Sequence, residues 1–411
     1  MVNSPSVPFL DLVTPHQQLK DELLKVVEQA LETAGFIGGP MVAGFEQEFS
    51  RFCGTRHCVA VGSGTDAVRF AVMAAGVKPG DVVVTVPNTF IATTEAITQA
   101  GATPDFVDVD ERTYNIDPEQ LLKYLQVQCH VDGATGRVFN RRLGKPVTAV
   151  VPVHLYGQPA DMDRITDIAD RFGLLVVEDA CQAHGAEYYS RKEKAWKKAG
   201  AMSKVAAFSF YPGKNLGACG EGGAVTTDDD EIARKVRILR DHGQSRKYYH
   251  DMEGYNGRLD AIQAGILRVK LQHLSEWNES RRQAAARYRE LFTAANGPQF
   301  PAYEPDWSKP VYHLYVIRVR DRESLLRRLA DENIGTGIHY PVPLHLQKAY
   351  SSFAYKPGDF PVTEKAASEI VSLPMFPNIS ADQQIRVVKA ILSFVLERGE
   401  EKVASVSVST A

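Results

Sequence analysis

The sequence has few cysteines, and they follow no pattern. Five cysteines occur in 411 residues, scattered from Cys53 to Cys219. A disulfide framework needs an even set of closely spaced cysteines, and a structural zinc site needs CxxC-type pairs. Neither arrangement is present, so we expect ordinary reduced thiols and no metal site.

Long hydrophobic runs are also missing. No stretch approaches the roughly 20 consecutive apolar residues of a membrane span. The amino end, MVNSPSVPFLDLV, has neither the positive start nor the apolar core of a secretory signal. The sequence therefore predicts a soluble, cytoplasmic protein that does not bind membranes.

Neither sign of charge dominates. The chain has 47 Lys and Arg against 50 Asp and Glu, a formal net charge of -3. Without a broad basic face, nucleic acid is not an expected partner. The 44% hydrophobic content suffices for two cores, because single cores stop growing at about 250–300 residues. We expect a large domain over residues 1–280, a small domain over 281–398 and a disordered tail over 399–411.

From about residue 55 to 230, short apolar runs rich in Val, Phe and Thr alternate with helix-like segments. This alternation predicts βαβ units and an α/β fold with a mainly parallel sheet covered on both faces. Ligands of such sheets bind beyond the carboxyl ends of the strands. We predict strands at 58–62, 82–86, 103–109, 148–155, 174–179, 205–210 and 223–227, and helices at 65–75, 90–100 and 161–172.

The pattern changes in the last third of the chain. A long, partly charged stretch over 258–293 is predicted to be helical. After Pro298 and Pro301, a strand over 312–319 and a helix over 323–335 predict a smaller α+β lobe.

Two polar, basic and glycine-containing stretches, 128–146 and 189–200, look like additions to this plan. We expect solvated surface loops there. The alternative is that Arg141, Arg142 or Lys197 meets a phosphate of a substrate.

The first motif that carries chemistry is GSGTDAVRF at 62–70, where a strand ends and a helix begins at about Thr65. Free amides at a helix start bind anions, and glycine lets a ligand approach the backbone. The amides of Gly64, Thr65 and Asp66 are therefore candidates for a phosphate, although ordinary helix capping gives the same pattern. GxGxxG and GxxxxGK[ST] are absent, which disfavours dinucleotide and P-loop nucleotide binding.

The second motif is LLVVEDACQAHG at 174–185, an apolar strand that ends in two acids. A pyridine nitrogen is a good electron sink only when protonated, and a neighbouring carboxylate holds that proton. Asp179 fits this role, and the alternative is that it caps the following turn. Gln182 could reach the ring of the same ligand.

The third motif is FSFYPGKNLGACG, in which Lys214 lies in a Pro/Gly-rich turn between two apolar strands. Most lysines are solvated surface charges. A desolvated amine, by contrast, loses its proton more easily and attacks an aldehyde. Ser209 offers a hydroxyl to the same phosphate as Thr65.

Together these motifs closely resemble the DegT/StrS family of nucleotide-sugar aminotransferases. The likeness covers nearly the whole chain. Besides the three motifs, it includes FLDL at 9–12, GFIGGPMVAGFEQEF at 35–49, VPVHLYGQPADM at 151–162, EGYNGRLDAIQAG at 253–265 and IHYPVPLHLQ at 338–347.

The resemblance implies the fold type I of pyridoxal 5'-phosphate (PLP) transferases and assigns roles to single positions. Lys214 is similar to the Schiff-base lysine that also moves the substrate proton. The other implied roles are the pyridinium partner for Asp179, an aromatic on the ring face for Phe90, a ring contact for Gln182, the phosphate cradle for Thr65, Asp66 and Ser209, a contact with the neighbouring subunit's phosphate for Asn256, and nucleotide-sugar contacts for His339, Tyr340 and Arg258.

The implied reaction takes an amino group from glutamate and gives it to a keto sugar on UDP or dTDP, in a homodimer with shared sites. The IHYPVPLH segment resembles members that act at C3 of the sugar. Open alternatives are a 4-keto sugar, a sugar dehydratase and a regulator without turnover. Dehydratases of the family have histidine at the position of Lys214, which disfavours that alternative. Cys181 stands where the family usually has alanine.

Overall fold

The computed structural model describes residues 6–294 and 303–397. The predicted tail over 399–411, Pro298 and Pro301 lie outside the described residues. The helices are α1 (Val13–Gln18), α2 (Lys20–Thr33), α3 (Gly39–Cys53), α4 (Gly64–Ala75), α5 (Ala92–Gln99), α6 (Pro118–Lys123), α7 (Met162–Phe172), α8 (Asp230–Arg240), α9 (Ala261–Leu271), α10 (Leu274–Ala294), α11 (Arg322–Asp331), α12 (Pro361–Glu369) and α13 (Ala381–Glu397).

The strands are short, with two to six residues each. They are β1 (His57–Val61), β2 (Val82–Thr85), β3 (Thr103–Phe106), β4 (Cys129–Val131), β5 (Val138–Asn140), β6 (Lys145–Val150), β7 (Leu175–Asp179), β8 (Glu187–Ser190), β9 (Ala195–Lys198), β10 (Val205–Ser209), β11 (Gly223–Thr227), β12 (Gln244–Arg246), β13 (Tyr249–His250), β14 (Ser308–Lys309), β15 (Tyr315–Arg318) and β16 (Ile370–Leu373).

The central sheet has the strand order β1-β11-β10-β7-β6-β2-β3. The five strands from β10 to β3 pair in parallel, and β11 is antiparallel to both β10 and β1. The predicted fold class, a mainly parallel α/β sheet, is confirmed.

Both faces of this sheet are buried, which explains the continuous apolar runs in its strands. In β2, Val82 and Val84 belong to one hydrophobic core and Val83 belongs to the other. Successive side chains of a strand point to opposite faces, so the sheet separates two layers of helices. The carboxyl ends of its strands are left as the open edge of the sheet.

One local prediction is confirmed in outline and one is wrong. The stretch 258–293 is helical, and it forms two helices, α9 and α10, which are separated at Gln272 and His273. The additions at 128–146 and 189–200 are β-hairpins and not irregular loops: β4 pairs with β5, which continues antiparallel onto β6, and β8 pairs with β9.

A smaller core lies beside the sheet. Its buried residues come mainly from α10, α11 and α13 and from the antiparallel pair β15–β16. Helix α10 contributes Leu274 to the large core and Tyr288 and Phe292 to the small one. The boundary that we propose between the two domains, at residue 280, thus falls inside this helix.

The amino-terminal segment, residues 6–16, runs along the small core toward the open edge of the sheet. Val7 pairs with Ile334, and the carbonyl of Phe9 accepts a hydrogen bond from the Met375 amide at 3.2 Å. The ring of Phe9 then stacks on His339, with 5.6 Å between the centroids. Within the described residues, no helix has the length and apolar character needed to cross a membrane.

Candidate active site

Three strand ends bring the three motifs together. In the register of the sheet, Asp179 on β7 is the partner of Ala207 on β10, two residues before Ser209. Ser209 in turn is opposite Gly223 on β11, and Val61 at the end of β1 is opposite the same glycine. The chain therefore places Asp179, Ser209 and the start of α4 at one edge of the sheet.

The start of α4 is packed tightly against Ser209. A Cβ atom on Gly64 would lie 2.5 Å from Cβ and 2.8 Å from Oγ of Ser209, so only glycine fits there. The first amides of a helix have no partner within the helix. Those of Gly64 and Thr65, with the nearby Ser209 hydroxyl, form the kind of cradle that binds a phosphate.

Asp66 has partners of its own within the chain. Its amide donates to the Ser63 hydroxyl at 3.1 Å, which is the ordinary capping alternative. Its carboxylate is ion-paired with Arg69, and burial raises its pKa against the opposing effects of Arg69 and Ser63. The Asp66 amide is thus engaged within the chain, and its place in the phosphate cradle beside Gly64, Thr65 and Ser209 stays a prediction.

Asp179 is 5% exposed and is held by two donors. The Thr93 hydroxyl donates to Oδ2 at 2.7 Å, and the Cys181 amide donates to Oδ1 at 3.2 Å. Burying a carboxylate is costly unless donors compensate the charge. Thr93 was not among the predicted residues, since nothing in the sequence pairs it with a residue 86 positions away.

Gln182, Tyr340 and Phe90 form a chain of contacts next to Asp179. The side-chain oxygen of Gln182 accepts a hydrogen bond from the Tyr156 amide at 2.7 Å, and its nitrogen donates to the Tyr340 hydroxyl at 3.3 Å. The Tyr340 ring lies 5.6 Å from the Phe90 ring. Phe90 is 52% exposed, so one side of it is free to cover a ligand.

Lys214 lies in the turn after β10. Burial lowers the pKa of its amine, and this effect is partly opposed by Cys181 and Asp179. The next residue, Asn215, fixes the turn by donating to Asn278 and to the Val311 carbonyl, both at 2.9 Å. The site thus contains a sheltered amine that loses its proton more readily than a surface lysine.

Three histidines have their pKa values lowered by burial first and then by the charge of Lys214. The value for His339 falls to about 4 and that for His184 to about 3, and the value for His313 is also far below normal. Nδ1 of His339 lies 2.8 Å from the Ser372 hydroxyl. Of these three histidines, only His339 is among the predicted site residues. His184 and His313 could have been found because each is a histidine within an apolar stretch of the sequence.

Asn256 and Arg258 lie on another side of the site. The Gly62 amide donates to the Gly257 carbonyl at 2.8 Å, which places this loop just before α4. Arg258 is ion-paired with Asp241 and donates to the Asn256 side chain at 2.5 Å. Asn256 itself is exposed. The loop is therefore not in the same cluster as His339 and Tyr340.

The cations of the two hairpins have partners within the chain. Arg141 donates to the Cys129 carbonyl at 2.9 Å, Arg142 pairs with Asp105 at 2.9 Å, and Lys197 pairs with Glu193 at 2.7 Å. The alternative that one of them meets a substrate phosphate gains no support from these contacts.

Comparisons with known proteins identify the family of the chain. The model of the DegT/DnrJ/EryC1/StrS aminotransferase family matches residues 17–392. A pleiotropic regulatory protein of Geobacillus stearothermophilus is 44% identical over 390 residues, which are 95% of this chain and 98% of that protein. The dTDP-3-amino-3,4,6-trideoxy-alpha-D-glucose transaminase of Streptomyces venezuelae is 41% identical over 388 residues, which are 94% of this chain and 96% of the relative.

Solved structures give the same result. DesV of S. venezuelae in complex with a ketimine intermediate has a TM-score of 0.86 at 39% identity and covers 95% of this chain and 99% of its own. NtdA of Bacillus subtilis with bound cofactor PMP has a TM-score of 0.82 at 29% identity, with coverages of 97% and 86%. The predicted fold type I and the predicted enzyme class, a transaminase, are confirmed. The chain therefore belongs to the DegT/DnrJ/EryC1/StrS aminotransferase family.

Proposed function

We propose that this protein is a PLP-dependent aminotransferase that moves an amino group from glutamate to the C3 keto group of a UDP- or dTDP-linked sugar. The observation that carries the proposal is Lys214: an amine with a lowered pKa, in a fixed turn, at the sheet edge that also holds Asp179 and the Gly64–Ser209 cradle.

The residues at this edge fit the cofactor. Gly64, Thr65 and Ser209 offer amides and a hydroxyl to its phosphate, and Asp179 offers a carboxylate to its ring nitrogen. Phe90 and Gln182 would contact the ring. When bound, PLP supplies an electron sink that lets the carbon–hydrogen bond beside the amino group ionise.

The chain itself supplies a base and an orientation. Because the pKa of Lys214 is lowered, more of its amine is neutral near pH 7, and Nζ can take and return the proton of the substrate carbon. Asp179 stays fixed by Thr93 and Cys181, so no side-chain motion is needed to keep its charge in place.

The relatives support the choice of acceptor. The S. venezuelae relative is named for a dTDP-linked 3-amino sugar. His339 and Tyr340 lie beside Gln182 and Phe90, where a sugar could reach the site. Asn256 is exposed and available to the neighbouring subunit in the homodimer that we propose, and Arg258 beside it would contact the nucleotide.

The test compares the wild-type protein with Lys214→Ala and with Lys204→Ala. Lys204 is an exposed lysine just before β10, the strand that leads to the turn with Lys214. We expect wild type and Lys204→Ala to take up PLP, to carry it on Lys214 after borohydride reduction, and to convert a 3-keto nucleotide sugar with glutamate. Lys214→Ala should lose both the covalent link and turnover, because it lacks the nucleophile.

Each alternative predicts another result. Turnover of the 4-keto sugar alone would overturn the C3 assignment, and release of ammonia without amine transfer would indicate a dehydratase. The name of the G. stearothermophilus relative favours testing a regulatory role. PLP uptake without turnover of any keto nucleotide sugar would support that role.

A further inference from the structure

Asp179 has a buried hydroxyl neighbour that none of the motifs includes. Thr93, in the first turns of α5, places Oγ1 2.7 Å from Oδ2 of Asp179. Thr93 is 2% exposed and Asp179 is 5% exposed. Water is therefore largely excluded from this contact, and the hydrogen bond is stronger than a similar one at the surface.

The direction of the hydrogen bond follows from the chemistry of the acceptor. An ionised carboxylate only accepts hydrogen bonds, so Thr93 must donate its proton to Asp179. Its oxygen is then free to accept from Thr89, whose hydroxyl lies 3.0 Å away and is also buried. The Thr89 hydroxyl thus donates to Thr93, and the Thr93 hydroxyl donates to the Asp179 carboxylate.

This chain of hydroxyls supplies a donor to a buried carboxylate. Burying a charged group is costly unless hydrogen bonds compensate it. Thr93 donates to Oδ2 and the Cys181 amide donates to Oδ1, so each oxygen has one donor from the chain and keeps a free lone pair. The carboxylate is fixed in one orientation while it remains able to accept another proton donor.

We propose that Thr93, supported by Thr89, is a positioning residue that holds the Asp179 carboxylate in the orientation it needs toward the ring nitrogen of the cofactor. The inference rests on the proposed function, since it assigns the role of Thr93 through the Asp179–cofactor contact.

The test uses three substitutions on one helical turn. Thr93→Val keeps the shape and removes the donor. Thr93→Ser restores it. Thr94→Val is the matched control, because Thr94 is equally buried but accepts from the Tyr350 hydroxyl at 2.6 Å and does not contact Asp179. Two readouts are measured on each protein: the dissociation constant of PLP from the apoprotein and the pH titration of the absorbance of bound PLP.

We expect Thr93→Val to weaken PLP binding about tenfold or more, as the loss of a hydrogen bond to a charged group does, and to shift the pH titration. Thr93→Ser and Thr94→Val should both remain within about threefold of the wild type, since ordinary surface or packing effects are smaller than one such bond. If Thr93→Val does not fold, Thr89→Val carries the test and should shift binding and titration in the same direction.

Equal PLP binding and an equal titration in wild type and Thr93→Val would overturn the inference. The same losses in Thr94→Val would also overturn it, since they would come from the packing of α5. Failure of the proposed function looks different: the wild-type protein itself would not form the covalent link to Lys214.

Discussion

A single buried histidine links the chemistry of the site to its stability. His184 is fully buried, with its ring 5.4 Å from Phe208 and 5.7 Å from Phe210. Burial and the nearby charge of Lys214 lower its pKa from 6.5 to about 3. Between about pH 3 and pH 6.5 the folded protein therefore keeps this ring neutral, whereas the unfolded chain protonates it.

The stability of the protein should fall in mild acid because of this ring. Above pH 6.5 the His184 ring is neutral in both the folded and the unfolded state, and its contribution to the free energy of unfolding is constant. Below pH 6.5 the unfolded chain binds a proton at this ring, whereas the folded protein does not. The loss for one such group is about 1.4 kcal/mol per pH unit. We expect the urea-unfolding free energy of His184→Gln to fall less than that of wild type between pH 7 and 5. Parallel losses in the two proteins would contradict the prediction.

At the scale of elements, a hydrogen bond from α9 holds the turn that contains Lys214 in place. The amine of Lys270, in the last turn of α9, donates to the Gly217 carbonyl at 2.7 Å and lies 2.8 Å from Nε2 of His16. Lys270 is only 4% exposed, and burial lowers its pKa. A cation near the end of a helix also interacts favourably with the helix dipole. One ammonium group thus connects α9, the Lys214 turn and the amino-terminal segment.

Removing that group should loosen the turn. In Lys270→Met the Gly217 carbonyl and His16 lose their donor, at a cost of about 1–3 kcal/mol for a buried unsatisfied group. We expect amide hydrogen exchange in the peptide that contains Lys214 to become about tenfold faster, while Lys25→Met, an exposed lysine on α2, leaves it unchanged. Unchanged exchange in Lys270→Met would show that Asn215 alone fixes the turn.

The elements that could be predicted are those whose pattern is local. The strands of the parallel sheet are continuous apolar runs, and the motif residues follow them directly, so Asp179, Ser209 and Lys214 could be located from the sequence. The break between α9 and α10 has no proline or glycine. The point at which the helical stretch divides therefore could not be predicted. Thr93 could not be predicted as a partner of Asp179, because only the folded chain brings the start of α5 to the end of β7.

At the scale of the whole molecule, the exposed loop of Asn256 is where we expect a second subunit. Two-fold dimers exchange equivalent surfaces, so a loop that serves the partner's site makes each site depend on both chains. Inactive proteins carrying Lys214→Ala and Asn256→Ala separately should then complement each other. Random reassociation of equal amounts after denaturation would restore about a quarter of the sites. No recovery of activity would indicate that each chain completes its own site.

The amino-terminal segment has a consequence for biosynthesis. It is synthesised before the parts of the chain that it contacts: Ser6 bonds to Asn333, 327 positions later, and Phe9 bonds to Met375. Contacts between such distant parts of a chain form late. We therefore expect nascent chains that are stalled before Met375 to have the central sheet in place while residues 6–16 remain accessible to protease, so that His339 gains its stacking partner, Phe9, only after Met375 has been added.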